Sequence, residues 1–360
     1  MHHAGLWSRK QKRVLMGTMC VALILGVLVL APSELKAQGA RWEFQAGSVV
    51  HSLAVSAHGE LIVLGTREGI IYCLDQEGKE LWRHNAGSSV LGLAMSQDGK
   101  RVVAATEGRN ALLLDGTGKL IWQRDFDFSL VSAAISGDGN LIGLVPRRSK
   151  KVWMLDSNGN DLWNVELAMA PTTVAISADG TRVALGARGG WIHLYDRTGQ
   201  KLWEQQVDGV ITGLAISRDG GYLAVGDESR KGYLLSEETT PDVGGSVLWS
   251  YKIDEGVESA AISGDGQAVA FGSRDKNGYL LDQAGALLSK QATGGIVYAI
   301  ALSADGGTLV LGSGDGKTSG FDVKQTVAGW QQVQVPALAI ALPVVVLALI
   351  ASSVAFVRLT

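Results

Sequence analysis

An Asp-Gly pair returns at a nearly fixed interval along this chain. Ser-x-Asp-Gly ends at Gly99, Gly139, Gly180, Gly220, Gly266 and Gly306, and a His-Gly variant ends at Gly59, with successive spacings of 40, 40, 41, 40, 46 and 40 residues. A fixed period of this length with turn punctuation marks a stacked-repeat architecture, in which each unit buries its apolar face against its neighbours.

Aligned on the serine, the units share one pattern. Two residues before it, all seven carry alanine (Ala54, Ala94, Ala134, Ala175, Ala215, Ala261, Ala301). Four residues before it, all are small (Ser52, Gly92, Ser132, Thr173, Gly213, Ser259, Ala299). This alternation of small and large apolar residues predicts a strand buried on both faces, with little room on one. A second apolar run follows the Asp-Gly turn, as in Tyr222–Gly226. A third ends in Asp, as in Ile71–Asp75, and an Asp-x-x-Gly turn leads to a fourth containing Trp82, Trp122, Trp163, Trp203 or Trp249. Gly supplies positive φ and Asp caps its own turn, so both signals read as hairpins. The expected fold is therefore all-β: a seven-bladed β-propeller of four-stranded antiparallel blades. Ala40–Ala46 matches a fourth strand with no first three before it. It is expected to pair as the outermost strand of the blade formed by residues 296–322, which removes the free edges of the ring. Three departures stand out: Pro146–Lys151 in the third unit, an insertion at Glu237–Gly245 in the fifth, and Ser289 in the sixth where Trp is expected.

The Ser-x-Asp-Gly and Leu-Ala-x-Gly strings resemble WD40-like repeats. The Leu-Asp-x-x-Gly-x-x-Leu-Trp string, as at Leu74–Trp82, resembles the tryptophan-docking motif of quinoprotein-like (PQQ-type) repeats, one residue shorter. The resemblance covers residues 41–329 and implies the fold, while a propeller hosts many functions. Quinoprotein dehydrogenases use a vicinal Cys pair and a calcium site. The only cysteines here are Cys20 and Cys73, so a quinone-dependent enzyme is an alternative and not the main reading. The six His share no ligand spacing, and no His-x-x-x-His, Cys-x-x-Cys or Gly-x-Ser-x-Gly motif occurs. No catalytic residue, metal ligand or cofactor is expected.

Arg9, Lys10, Lys12 and Arg13 precede an uncharged run from Val14 to Ala31, so residues 1–39 read as a signal peptide or a signal anchor. Pro336–Val357 is uncharged and precedes Arg358, so residues 330–360 read as a C-terminal transmembrane helix anchored in the lipid bilayer. The flanking cations put both charged ends in the cytoplasm and the propeller, residues 40–329, on the extracytoplasmic side, in the periplasm or at the cell surface.

The turns between second and third strands carry Arg67, Arg109, Arg147, Arg148, Arg188, Arg230, Arg274 and Lys317, at least one per unit. The Asp-Gly turns make the opposite end acidic. The expected function is a non-catalytic, membrane-anchored scaffold for protein binding or assembly, as a subunit of a membrane complex. The basic ring is its candidate contact with another membrane or extracytoplasmic protein of acidic surface. Nucleic acid is not an expected partner of a chain of formal charge −3. A sensory ectodomain of a signalling complex is a further alternative.

Overall fold

A computed structural model describes residues 39–237 and 245–323. The two apolar runs expected to meet the membrane, and most of the Glu237–Gly245 insertion, lie outside the described residues. Among the described residues no helix is long and apolar enough to cross a membrane.

Each Ser-x-Asp-Gly closes as a hairpin with repeating hydrogen bonds. Ser96 Oγ donates to Asp98 Oδ1 at 2.7 Å and accepts the N–H of Arg101 at 3.0 Å, while Asp98 Oδ1 accepts the N–H of Lys100 at 3.0 Å. The Asp-x-x-Gly turn works in the same way: Asp156 Oδ1 accepts the N–H groups of Asn158 and Asn160 at 2.8 and 2.9 Å. These side chains satisfy backbone donors that the turn would otherwise leave unpaired.

The described residues form 28 strands and a single 3₁₀ turn at Arg188–Gly190. The strands make seven four-stranded antiparallel sheets. In the first blade β2 (Val50–Val55), β3 (Leu61–Thr66), β4 (Ile70–Asp75) and β5 (Glu80–Asn85) follow one another from the axis outward. In the seventh, β26 (Val297–Leu302), β27 (Thr308–Ser313) and β28 (Lys317–Asp322) are completed by β1 (Trp42–Gln45). Trp42 lies opposite Gly320 and Gln45 opposite Lys317. The N-terminal strand thus closes the ring in the position read from the sequence.

The small residues of the innermost strands have a direct cause. A Cβ on Gly92 would fall 2.5 Å from the Ala133 backbone nitrogen, and one on Gly213 2.5 Å from that of Ala260. Neighbouring innermost strands therefore meet backbone to backbone. At their Asp-Gly ends they are also tied by hydrogen bonds. Ala57 donates to Gln97, Gln97 to Gly137 and Gly137 to Ala178; Asp179 donates to Arg218, Arg218 to Gly264 and Gly264 to Ala304; Asp305 returns to Ala57. These N–H···O distances run from 2.8 to 3.2 Å and complete a circle around the axis.

The apolar core lies between blades. Ile71 and Cys73 of the first pack with Val102, Leu112 and Leu114 of the second, and the same arrangement recurs around the ring. Further out, each tryptophan docks on the following blade. Trp82 Nε1 donates to Gly116 O at 3.0 Å, Trp122 to Ser157 O at 3.0 Å, Trp163 to Arg197 O at 2.9 Å and Trp249 to Gln283 O at 2.8 Å. Ser289 breaks this series for a reason the closure supplies. The outer strand of the seventh blade is β1, not the second arm of a hairpin from β28, so no turn of that kind joins the two for a tryptophan to cover.

Candidate functional site

Strand direction sorts the loops onto two ends. One end carries the Asp-Gly and Asp-x-x-Gly turns. The other carries the turns between second and third strands beside the blade-to-blade connections, with the Arg67 N–H on Val49 O at 2.9 Å and the Ala86 N–H on Gly69 O at 2.8 Å. All eight residues singled out in the sequence stand at this second, arginine end, and all are exposed. At the aspartate end the carboxyl groups are held in turns. The Gly221 N–H and the Ser217 hydroxyl keep Asp219 below the usual carboxylate range, and the Thr117 hydroxyl and Lys119 N–H do so for Asp115.

Carboxylates reach the arginine end from a blade connection (Glu255), an innermost strand (Glu258) and the outer strand β1 (Glu43), besides those within the second-to-third turns. Arg230 pairs with Glu255 at 3.4 Å and Lys317 with Glu43 at 3.0 Å. Arg274 pairs with Glu258 and lies 3.8 Å from Glu228. Arg147 pairs with Glu107 at 3.0 Å. Arg67, Arg109, Arg148 and Arg188 make no ion pair among the described residues. The eight cations are therefore not equivalent. Those of blades five to seven face acidic neighbours, and those left without a carboxylate belong to blades one to four.

A backbone feature with no sequence signal sharpens this picture. Four non-glycine residues among those described have positive φ: Arg109 (70°), Arg148 (65°), Arg230 (72°) and Lys276 (68°). All four are cations in second-to-third turns. The first and seventh blades use Gly69 and Gly316 at the corresponding place, as the left-handed conformation favours. A side chain there costs about 1–2 kcal/mol of local strain.

Between the second and third blades this end opens into a cavity of about 310 Å3, lined by Arg109, Asp127, Phe128, Ser129, Arg147 and Arg148. Its walls are fixed by the backbone: the Phe126 N–H donates to Arg109 O at 2.7 Å and the Arg147 N–H to Ser129 O at 2.6 Å. Phe128 is 39% exposed. A second cavity of about 190 Å3 lies on the axis. Each innermost strand shifts register by one residue here, as between Val50 and Ser52, and the extra residues line the cavity: His51, Leu91, Val131, Thr172, Thr212, Glu258 and Tyr298. The His51 and Tyr298 rings lie 5.3 Å apart. Burial, and then the nearby Arg67 charge, hold the His51 pKa below its ordinary value. Among the described residues no group of three or more His, Cys, Asp or Glu side chains is placed to hold a metal ion.

The fold and its loops define a closed seven-bladed propeller with an exposed arginine or lysine at the second-to-third turn of every blade. A family model described as outer membrane protein assembly factor BamB matches residues 31–186 and 188–358. The chain belongs to this family of PQQ-type propeller repeats. Among solved structures, the β-propeller domain of Cps50 (Swd1) from Myceliophteria thermophila is similar, with a TM-score of 0.69 over 79% of this chain and 99% of that one. At 15% identity that likeness concerns the fold alone. No curated protein matches the chain in sequence.

Proposed function

We propose that this protein is a non-catalytic scaffold for protein assembly, tethered to a membrane with its propeller on the extracytoplasmic side, and that its arginine end receives the partner. The observation that carries this reading is where the chain enters and leaves the propeller. The Arg41 N–H donates to Gly320 O at 2.8 Å, and the Val323 N–H donates to Gly307 O at 2.9 Å. Both ends of the propeller are therefore at the aspartate end. With the apolar runs at Val14–Ala31 and Pro336–Val357 taken as the membrane contacts, this reading turns the arginine end away from the bilayer. The family description, outer membrane protein assembly factor, supports the same kind of role. Single exposed charges contribute little, so the contact is collective and weakens with salt.

The test replaces Arg67, Arg109, Arg147, Arg188, Arg230 and Arg274 together by Ser in the full-length protein. Cross-linking in intact membranes at low salt then compares the proteins captured. Loss of an acidic partner from the folded variant is the expected result, and undiminished capture refutes the assignment of the contact. Protease added outside the membrane should cut the Glu237–Gly245 insertion. Cutting only from the cytoplasmic side refutes the location.

A further inference from the structure

We infer that the arginine end is a binding arc and not a ring, centred on the cavity between the second and third blades, and that it takes an acidic peptide segment carrying apolar side chains between its carboxylates. This deepens the scaffold reading above and rests on it.

Three independent observations converge there. The first is charge. The cavity wall holds three guanidinium groups, from Arg109, Arg147 and Arg148, beside the carboxylate of Asp127, and Arg147 is already paired with Glu107 at 3.0 Å. Arg109 and Arg148 have no ion pair among the described residues, whereas Arg230, Arg274 and Lys317 across the ring are already partnered. An incoming carboxylate meets uncompensated positive charge on one side of the axis and must displace an existing partner on the other.

The second is apolar exposure. Nine large hydrophobic side chains among those described are exposed. Seven of them lie on outer strands: Leu81, Leu120, Ile121, Leu162, Leu202, Val247 and Leu248. The other two, Phe128 at 39% and Met169 at 42%, stand at the arginine end, in the connections on either side of the third blade. Arg, Phe and Met are the side chains enriched in protein interfaces, where a charge fixes the register and an apolar surface supplies affinity. An inorganic anion would use the guanidinium groups and leave Phe128 and Met169 without a role. A peptide with both kinds of side chain uses both.

The third is the backbone. Arg109 and Arg148 hold positive φ where glycine would sit without strain, and they are the two cations of the cavity without an ion pair among the described residues; Lys276, across the ring, shares both traits but lines neither cavity. Strain at a residue that no internal contact rewards is an observation that points to function. The cavity volume, about 310 Å3, matches the lower range of ligand pockets and suits one or two inserted side chains rather than a folded domain.

The experiment uses the full-length protein in detergent and three fluorescein-labelled peptides: glutamate alternating with phenylalanine, glutamate alternating with serine, and lysine alternating with phenylalanine. Fluorescence anisotropy at low salt should order their affinities as written. An arc variant carrying Arg109→Gly, Arg148→Gly and Arg188→Ser should bind the first peptide about tenfold more weakly. Glycine suits the left-handed backbone at the first two positions, so the variant folds. An opposite-side variant carrying Arg230→Ser, Arg274→Ser and Lys317→Ser should bind within about twofold of the parent. Phe128→Ser should weaken the glutamate–phenylalanine peptide and leave the glutamate–serine peptide unchanged. Equal losses in the arc and opposite-side variants would mean diffuse attraction and overturn the arc. Equal binding of the first two peptides would overturn the apolar component. If no peptide binds while the six-arginine variant still loses its cross-linked partner, the arc is wrong and the scaffold reading survives.

Discussion

Trp82 and Gly118 offer a direct measure of how one blade holds the next. Gly118 lies under the Trp82 ring, and a Cβ built on it would fall 2.6 Å from Trp82 Cε3, at a residue whose φ is 82°. Gly118→Ala therefore combines two costs: about 1–2 kcal/mol for a side chain in the left-handed region, and about 1–3 kcal/mol for overpacking. Gly87→Ala separates them. Its φ is 77° and nothing stands within 4 Å of its Cβ, so only the backbone cost remains, about 1 kcal/mol. Trp82→Ala removes a half-buried ring and its hydrogen bond to Gly116 O at 3.0 Å, a loss of about 2–4 kcal/mol. With the ring gone, Gly118→Ala should cost no more than Gly87→Ala. The double variant is thus less destabilised than the sum of its parts by about 1–3 kcal/mol. Urea unfolding followed by far-ultraviolet circular dichroism gives the five free energies, those of the parent and the four variants, provided that the slopes agree. Additivity within about 0.5 kcal/mol would refute docking of tryptophan on glycine as the source of inter-blade stability.

Three further outcomes follow. Trp42 is 9% exposed and stacks against Gly78 and Gly320, so Trp42→Ala should cost about 3–5 kcal/mol and open the seventh blade first, seen as early proteolysis within β28. Arg109→Gly and Arg148→Gly should each leave stability unchanged or raise it by up to about 1 kcal/mol, because the relief of strain outweighs or balances the extra entropy that glycine gives the unfolded chain; a clear loss in urea unfolding would show that these side chains are structural. The turn aspartates Asp115 and Asp219 have folded pKa values below their unfolded ones, so the stability they supply is present above about pH 4 and is lost as pH falls through the depressed values. His51, also depressed, adds a loss as pH falls below about 6.5; melting temperatures at pH 7, 5 and 3 test both, and a flat profile contradicts them.

The blade pattern was legible because it is local. Hairpin glycines, capping aspartates and two-residue alternation act within a few positions, and each survives in the structure. Closure by Trp42–Gln45 was also legible, since an isolated fourth strand had only one place to pair. Ser289 was visible as a departure but became intelligible only with the register of β1 against β28. The binding end was less so. Its cations could be found by their turn, but the acids that neutralise Arg230, Arg274 and Lys317 come from Glu255, Glu258 and Glu43, on other elements. The positive φ of Arg109 and Arg148 has no compositional mark, because this conformation is imposed by the turn and not chosen by the residue. The bulge that turns His51 and Tyr298 toward the axis is likewise a property of paired strands.

Closure by the first strand also sets a schedule for the protein's synthesis. Glu43 and Lys317, whose side chains meet at 3.0 Å, are 274 positions apart in the chain. At roughly 5–20 residues per second, β1 waits about 15–55 s before its partner has been made. Six blades can dock in order of emergence during that interval, but the ring stays open and the first strand stays unpaired. The strand that must wait is among the shortest in the molecule, four residues, and carries Glu43, with Arg41 just before it. Brevity and charge are the features that keep a lone edge from pairing with the wrong chain. The last-formed contact in the propeller thus involves its first-made strand, and a truncation after Ala292 but before Lys317 leaves a chain that has six whole blades and no way to finish the circle.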